Sequence, residues 1–528
     1  MIVRDNNRHL LLGSAVTKHH PSRHHTVMAI SIAKESTPQS PEGEVPANPG
    51  YVWLIALVAA LGGLLFGYDW VVIGGAAKFY EAFFHLTDTA ASLSGDATFW
   101  QKLVANAVSP IGWAQSCALL GCLAGALVSG ALSDRFGRKP ILIAAAANFV
   151  VSSLGIACAA SFPAFVAWRI LGGVSIGLAS NISPLYISEI APAGRRGLLV
   201  AVNQLTIVIG ILAAQLVNWR IAQPIPDGIT PEAFALTWNV LSGWRWMFAA
   251  CAVPSLLFFL TSMWVPESPR WLCKAGADER ARRTLTSIGG PAYAAAALSE
   301  IKATLVHEDK HVRFHELLEK RVLAVLGLGI FLAVFQQWCG INVIFNYASE
   351  IFTQAGFNMN DALTGIVATG VVNLVFVFVA LFTVDRLGRK PLMLFGAAGL
   401  AVIYLAIGYC YHLKQGGTAV SPMLFLALVL AAIGTYSMSL APVVWVLISE
   451  IFPNRIRGTA MSVAVGCLWI ACFILTYTFP ILKTLLGVSV TFWIYAAICA
   501  LGFIVLWLRL PETKGKSLEQ IEMELGGR

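Results

Sequence analysis

"GALSDRFGRKP" at 130–140 returns as "ALFTVDRLGRKP" at 380–391. The return is not isolated. "YISEIAPAGRRG" at 186–197 reappears as "LISEIFPNRIRG" at 447–458, and "VPESPRWL" at 265–272 as "LPETKGKSL" at 510–518. Equivalent residues keep a similar separation: 251 between Arg135 and Arg386, 261 between Glu189 and Glu450, 245 between Glu267 and Glu512. Three motifs in one order at one spacing imply a duplicated unit. The stretches between them are apolar, so the unit is a membrane bundle.

Composition agrees. Of 528 residues 57% are hydrophobic and 12% charged, against about 25% charged in a soluble domain. The net charge of +8 does not point to nucleic acid, because the basic residues lie in short loops and not on one face. A crossing helix needs about 20 largely apolar residues. Twelve such runs are predicted, near 51–77, 110–133, 140–160, 163–187, 197–219, 245–265, 322–352, 362–384, 390–411, 422–448, 458–482 and 488–509. The expected fold class is therefore an all-α membrane protein of twelve transmembrane helices in two parallel six-helix repeats. The expected organisation is a polar tail 1–50, a first bundle 51–265, a charged helical connection 266–321, a second bundle 322–510 and a tail 511–528.

Orientation follows from lysine and arginine. The short loops after helices 2, 4, 8 and 10 hold Arg135, Arg138, Lys139, Arg195, Arg196, Arg386, Arg389, Lys390, Arg455 and Arg457. The opposite side has Lys78, Lys102, Arg220, Arg245, Lys414 and Lys483 spread over longer connections. The dense side is expected in the cytoplasm, with both termini. The ten cysteines form no CxxC pair and read as small buried hydrophobes. "KHHPSRHH" at 18–25 has metal-ligand residues but no scaffold to orient them, so a disordered tail is the expectation there and no metal or other cofactor is expected. Met28 is a second candidate start. The first apolar segment begins near residue 51 and is too long for a cleavable signal.

Together "GALSDRFGRKP", "RILGGVSIGLAS", "PESPRWL", "QQWCGINVIFNYA", "PVVWVLISEIFP" and "PETKGKSLEQI" resemble the sugar porter family of the major facilitator superfamily, closest to its bacterial xylose–proton symporters. The resemblance runs from about 51 to 525. It implies alternating access between two halves, a neutral sugar and a proton as partners, a monomer in the lipid bilayer, and no enzymatic activity. No phosphate loop, metal-ligand set or nucleophile–base spacing argues otherwise.

Two ionisable residues fall inside spans: Asp69 in "GGLLFGYDW" and Arg169 in "AWRILGGVSIG". Such residues are costly in a membrane and are functional candidates by default. Burial disfavours a charged carboxylate and a neighbouring guanidinium favours it, so the pair can take a proton in one conformation and release it in another. The resemblance implies that Asp69 couples the proton and Arg169 is its partner. A static ion pair between helices 1 and 4 is the plainer reading.

The repeated charges Arg135, Arg138, Glu189, Arg196, Glu267, Arg386, Arg389, Glu450, Arg457 and Glu512 sit at cytoplasmic helix ends. The seven-residue spacing of Glu189 from Arg196, and of Glu450 from Arg457, suggests symmetric salt-bridge clusters. The resemblance implies that they hold the halves together when the transporter faces outward and part when it opens inward. Topology alone also explains the positive ones. Amides and aromatics interrupt the apolar helices at Phe66, Gln204, Gln336, Gln337, Asn342, Asn346, Asn373, Trp445 and Trp469. Amides offer donors and acceptors to sugar hydroxyls, and aromatic faces suit the C–H faces of a pyranose. Each amide alone could equally be an interhelical hydrogen bond. Gln204, Gln336, Gln337, Asn342, Asn373 and Trp445 as a set match the family's pocket, with departures: Leu468 and Cys472 stand where relatives carry amides, and Phe345 and Asn346 where they carry tyrosines. The floor of the pocket is altered, so xylose, glucose, galactose, arabinose and a cyclitol stay open. Proton-independent uniport and a sugar-sensing receptor are the competing functions.

Overall fold

The computed structural model describes residues 48–86, 101, 109–306, 320–452, 456–514 and 516. The tail 1–47, with its histidines, and the end beyond 516 lie outside them. The described chain is helical, and twelve helices cross the bundle: α1 Pro49–Phe83, α2 Pro110–Phe136, α3 Arg138–Ala157, α4 Phe162–Ile190, α5 Arg196–Ile221, α6 Pro231–Ser262, α7 Val322–Asn346, α8 Met359–Leu387, α9 Arg389–Gln415, α10 Pro422–Ile451, α11 457–486 and α12 488–509. The last two run on as one helical stretch, parted only where Gly487 takes φ 82°, ψ 162°. Helix starts are written in the sequence. Asn48, Ser109, Ser161 and Asn358 accept from backbone N–H groups of the first turn, and proline follows at Pro49 and Pro110, where its missing N–H costs nothing.

Close helix contact inside each half relies on missing side chains. A Cβ on Gly173 of α4 would lie 2.0 Å from the Ala118 carbonyl oxygen of α2. Small residues let backbones approach this closely where lipid gives helices no hydrophobic drive to associate.

Besides α6, which runs as short pieces from Pro231 to Ser262, two crossing helices are broken. In α7, Gly340 takes φ 88° and divides the helix after Trp338; Ile341–Asn346 and Ala348–Ala355 continue it as short pieces. In α10 the break falls at Ser439 (φ −125°, ψ −88°), three residues before Pro442. The proline ring has no N–H to give and clashes with the preceding turn. Pro480, in contrast, sits within α11 without a break. Between the halves, Pro269–Lys274 and Asp278–Val306 are helical.

The halves meet at the end away from the repeated motifs, the distal end. A Cβ on Gly74 of α1 would come within 2.5 Å of the Phe345 carbonyl oxygen of α7. Trp113 of α2 packs on Phe473 and Tyr477 of α11, with ring centroids 6.1 and 6.0 Å away. Gln215 of α5 donates to Thr369 Oγ1 of α8 at 3.1 Å. Asn360 of α8 clasps the peptide of Ile225 in the α5–α6 connection, accepting from its N–H at 3.2 Å and donating to its C=O at 3.1 Å. Asn239 of α6 does the same to Gln223, at 2.8 Å both ways. The connection is thus strapped to both halves.

Candidate functional site

At the motif end the α2–α3 and α8–α9 turns each build an anion seat. Gly137 (φ 102°) and Gly388 (φ 93°) adopt a backbone that L side chains rarely take. A Cβ at either would also sit within 2.3 Å of Glu267 Oε2 or 2.7 Å of Glu512 Oε2. The turn aims the first N–H groups of α3 at Glu267, which accepts from Arg138 at 3.0 Å, Lys139 at 3.3 Å and Ser268 at 2.8 Å. In the second half Glu512 accepts from Arg389 at 3.0 Å and Lys390 at 3.1 Å. A carboxylate at a helix N-terminus satisfies orphan donors and complements the dipole. Arg138 holds Glu189 through two bonds of 3.0 Å and Arg389 holds Glu450 at 3.2 Å. Ser268 and Thr513 each donate to the same glutamates, at 2.6 Å.

Six of the expected gate residues, Arg138, Glu189, Glu267, Arg389, Glu450 and Glu512, therefore form two like clusters. Each lies within its own half, and among the described residues no ion pair joins the halves at this end. The seven-residue pairing of Glu189 with Arg196 does not form. α4 ends at Ile190 and a short turn at Ala193–Arg195 intervenes, so helical periodicity no longer relates the two. Arg135, Arg196 and Arg386 are exposed. The side chain of Arg457 lies outside the described residues.

Midway along the bundle, Arg169 Nη1 donates to both Asp69 oxygens at 3.0 Å. The two residues are 3% and 2% exposed, and the guanidinium also faces the Phe248 ring at 5.5 Å. The pair lines a small cavity with Trp70, Gln115, Cys122 and Asn346, barely large enough for one water. Gln115 of α2 donates to Tyr80 Oη at 2.8 Å. Sequence reading passed over Gln115, Tyr80 and Trp70. An isolated polar residue in an apolar run carries no signal of its own, although Trp70 does stand next to Asp69.

The amides of α7 form a relay. Asn342 donates to Gln337 Oε1 and, at 3.5 Å, to Cys472 Sγ of α11. Gln337 donates to Gln336 Oε1 at 3.3 Å, and Gln336 to the Leu440 and Ala441 carbonyls at 3.2 Å. Those carbonyls open the helical piece that follows the break in α10, so the relay ties α7 to that break. Asn373 accepts from Ser437 at 2.7 Å. Gln204 of α5 is half-buried. Trp445 is 39% exposed and stands apart from the other rings. Phe66 and Trp70 of α1 meet Trp469 of α11, with centroids 6.1 and 6.0 Å from it, and the buried Trp469 indole N–H has no partner among the described residues. The centre thus offers amides that already bond one another, an indole donor without one, and ring faces contributed by both halves. It can take a neutral polyol by exchanging hydrogen bonds rather than by breaking ion pairs.

Two like six-helix halves meeting at a buried polar centre define the class: a multi-pass membrane transporter of the major facilitator fold. Residues 55–525 match the family described as "Sugar (and other) transporter". The D-xylose-proton symporter of Escherichia coli is 38% identical, covering 90% of this chain and 96% of the relative. The arabinose-proton symporter of Bacillus subtilis is 36% identical, covering 92% and 99%. The solved inward-open structure of the E. coli xylose transporter superposes with a TM-score of 0.75 at 36% identity, covering 90% of this chain and 99% of that one. The chain belongs to the sugar transporter family.

Proposed function

We propose that the protein imports one neutral monosaccharide, a pentose or hexose, together with a proton by alternating access. The observation that carries this reading is the buried Asp69–Arg169 pair, which shares one cavity with Asn346 on the helix that supplies most of the amides. A charge in a span is expensive, and this one sits where binding in one half can be felt by the other. The relatives named for xylose–proton and arabinose–proton symport support the same substrates. On this reading Phe66, Gln204, Gln336, Gln337, Asn342, Asn346, Asn373, Trp445 and Trp469 surround the sugar.

The motif end carries the dense lysine and arginine loops and is placed in the cytoplasm, with both termini, in a bacterial inner membrane. The distal contacts then make this an inward-facing arrangement. The clustered charges keep each half rigid, and exposed Arg135, Arg196 and Arg386, with Arg457, are left to reach across when the cytoplasmic ends close. The monomer is taken as the working unit.

The test is uptake of labelled sugars into proteoliposomes with and without an inward proton gradient. Accumulation that a protonophore collapses supports symport and identifies the sugar. Asp69→Asn is expected to lose accumulation and keep counterflow. Equilibration that ignores the gradient makes the protein a uniporter and the pair a structural one.

A further inference from the structure

Resting on that reading, the structure assigns a residue to hold the proton once it is loaded. Arg169 is the side chain bonded to Asp69, and a guanidinium has five donors and no acceptor. While Asp69 is ionised the pairing is complete. Once a proton sits on the carboxylate, its O–H needs an acceptor that Arg169 cannot supply, and a buried O–H without one is costly. The acceptor must come from the rest of the cavity wall.

We propose that Gln115 Oε1 is that acceptor, directly or through one water, and that Tyr80 orients it. Gln115 is 2% exposed and lines the same cavity as Asp69 and Arg169. Its Nε2 is committed to Tyr80 Oη at 2.8 Å, which fixes which way the amide turns. Its Oε1 is fully buried with no partner among the described residues, and so is Arg169 Nε. A buried acceptor, a buried donor and a carboxylate around a space the size of one water make a complete seat. Water there accepts from Arg169 Nε and donates to Gln115 Oε1 and to the carboxylate. In the loading step a hydronium passes one proton to an Asp69 oxygen, leaving water and a neutral carboxyl, and the new O–H turns to the acceptor. Trp70 contributes only a donor. Asn346 comes from α7 and leaves with the other half as the bundle opens, whereas Gln115, Asp69 and Arg169 all stay in the first half.

The other titratable groups in electrostatic reach of the pair are Tyr68 and Tyr80 of α1, Cys117 and Cys122 of α2 and Cys251 of α6, with Glu81 beyond Tyr80. The phenols and thiols carry their protons at neutral pH, and Glu81 lies beside Lys78 at 3.9 Å. None of them offers Asp69 a competing base at the cavity.

Gln115→Met keeps the length and removes the acceptor. In proteoliposomes its uptake midpoint is expected to move about half to one pH unit toward acid, the size of one hydrogen bond to the protonated form. Each profile is scaled to its own acid plateau, so that a change in transport rate does not register as a shift. Tyr80→Phe, which frees the amide without deleting it, should shift the midpoint the same way by less. The C=O stretch of protonated Asp69 in infrared difference spectra should move as that bond is lost. A wild-type protein that accumulates sugar while both variants keep its midpoint and its stretch overturns the role of Gln115 alone. A wild-type protein that never accumulates sugar overturns symport, and this inference with it.

Discussion

The strap at the distal end gives the sharpest expectation about how the protein moves. Asn360 joins the second half to the Ile225 peptide through two hydrogen bonds, and outward opening must break both. A neutral hydrogen bond contributes about 0.5–1.5 kcal/mol net. Asn360 is half-buried, so water can replace it at the Ile225 peptide and the loss falls toward the lower end, about 1–2 kcal/mol for the pair. Asn360→Ala should therefore raise the outward-open population about 5- to 30-fold. The assay is the rate of alkylation by a membrane-impermeant maleimide, added outside, of a thiol introduced by Ala77→Cys. Ala77 is 4% exposed and one turn beyond Gly74, at the α1–α7 contact. Its labelling rate scales with the open population however rare that state is. A rate within twofold of the unmodified strap would refute the reasoning and assign distal closure to the packing of α1 on α7 and of α2 on α11.

Two further outcomes follow from the same geometry. The Trp469 indole N–H is buried without a partner among the described residues, so Trp469→Phe should weaken sugar binding about 2- to 13-fold, one neutral hydrogen bond; unchanged affinity in equilibrium binding would place the sugar elsewhere. Burial pushes the Glu512 carboxyl up, but backbone N–H bonds from Lys514, Arg389, Lys390 and Thr513 outweigh it and hold the group below its ordinary 4.5. A lowered value means stability that is present above the unfolded value and lost as pH falls through the folded one. Glu512→Gln should then melt below wild type by a constant margin from pH 7 to 5, and the margin should shrink below about 4.5; a margin that widens with acid would count against the anion seat.

The chain order alone was enough for the bundle. Apolar run length and the placement of Arg135, Arg138, Arg386 and Arg389 are one-dimensional quantities, and crossing a membrane depends on little else. The doubled motifs implied two like charge clusters, but that the Gly137 and Gly388 turns aim backbone N–H groups at Glu267 and Glu512 came only from the fold. Asp69 and Arg169 stood out because charge in a span is rare enough to be its own signal. Gln115, Tyr80 and Trp70 had no such signal. Their meaning comes from the rotation of α1 and α2 about their axes and from the close approach of α4, which a linear pattern does not encode. The seven-residue spacing of Glu189 and Arg196 did not single out Arg138 as the partner of Glu189: seven residues place two side chains on one face only while the helix continues, and α4 ends one residue after Glu189. Which half each charge binds, which carbonyls Gln336 bonds beside the break in α10, and which peptide Asn360 clasps were decided by helices packing in three dimensions, since a side chain's partner is set by crossing angle and register and not by its distance along the chain.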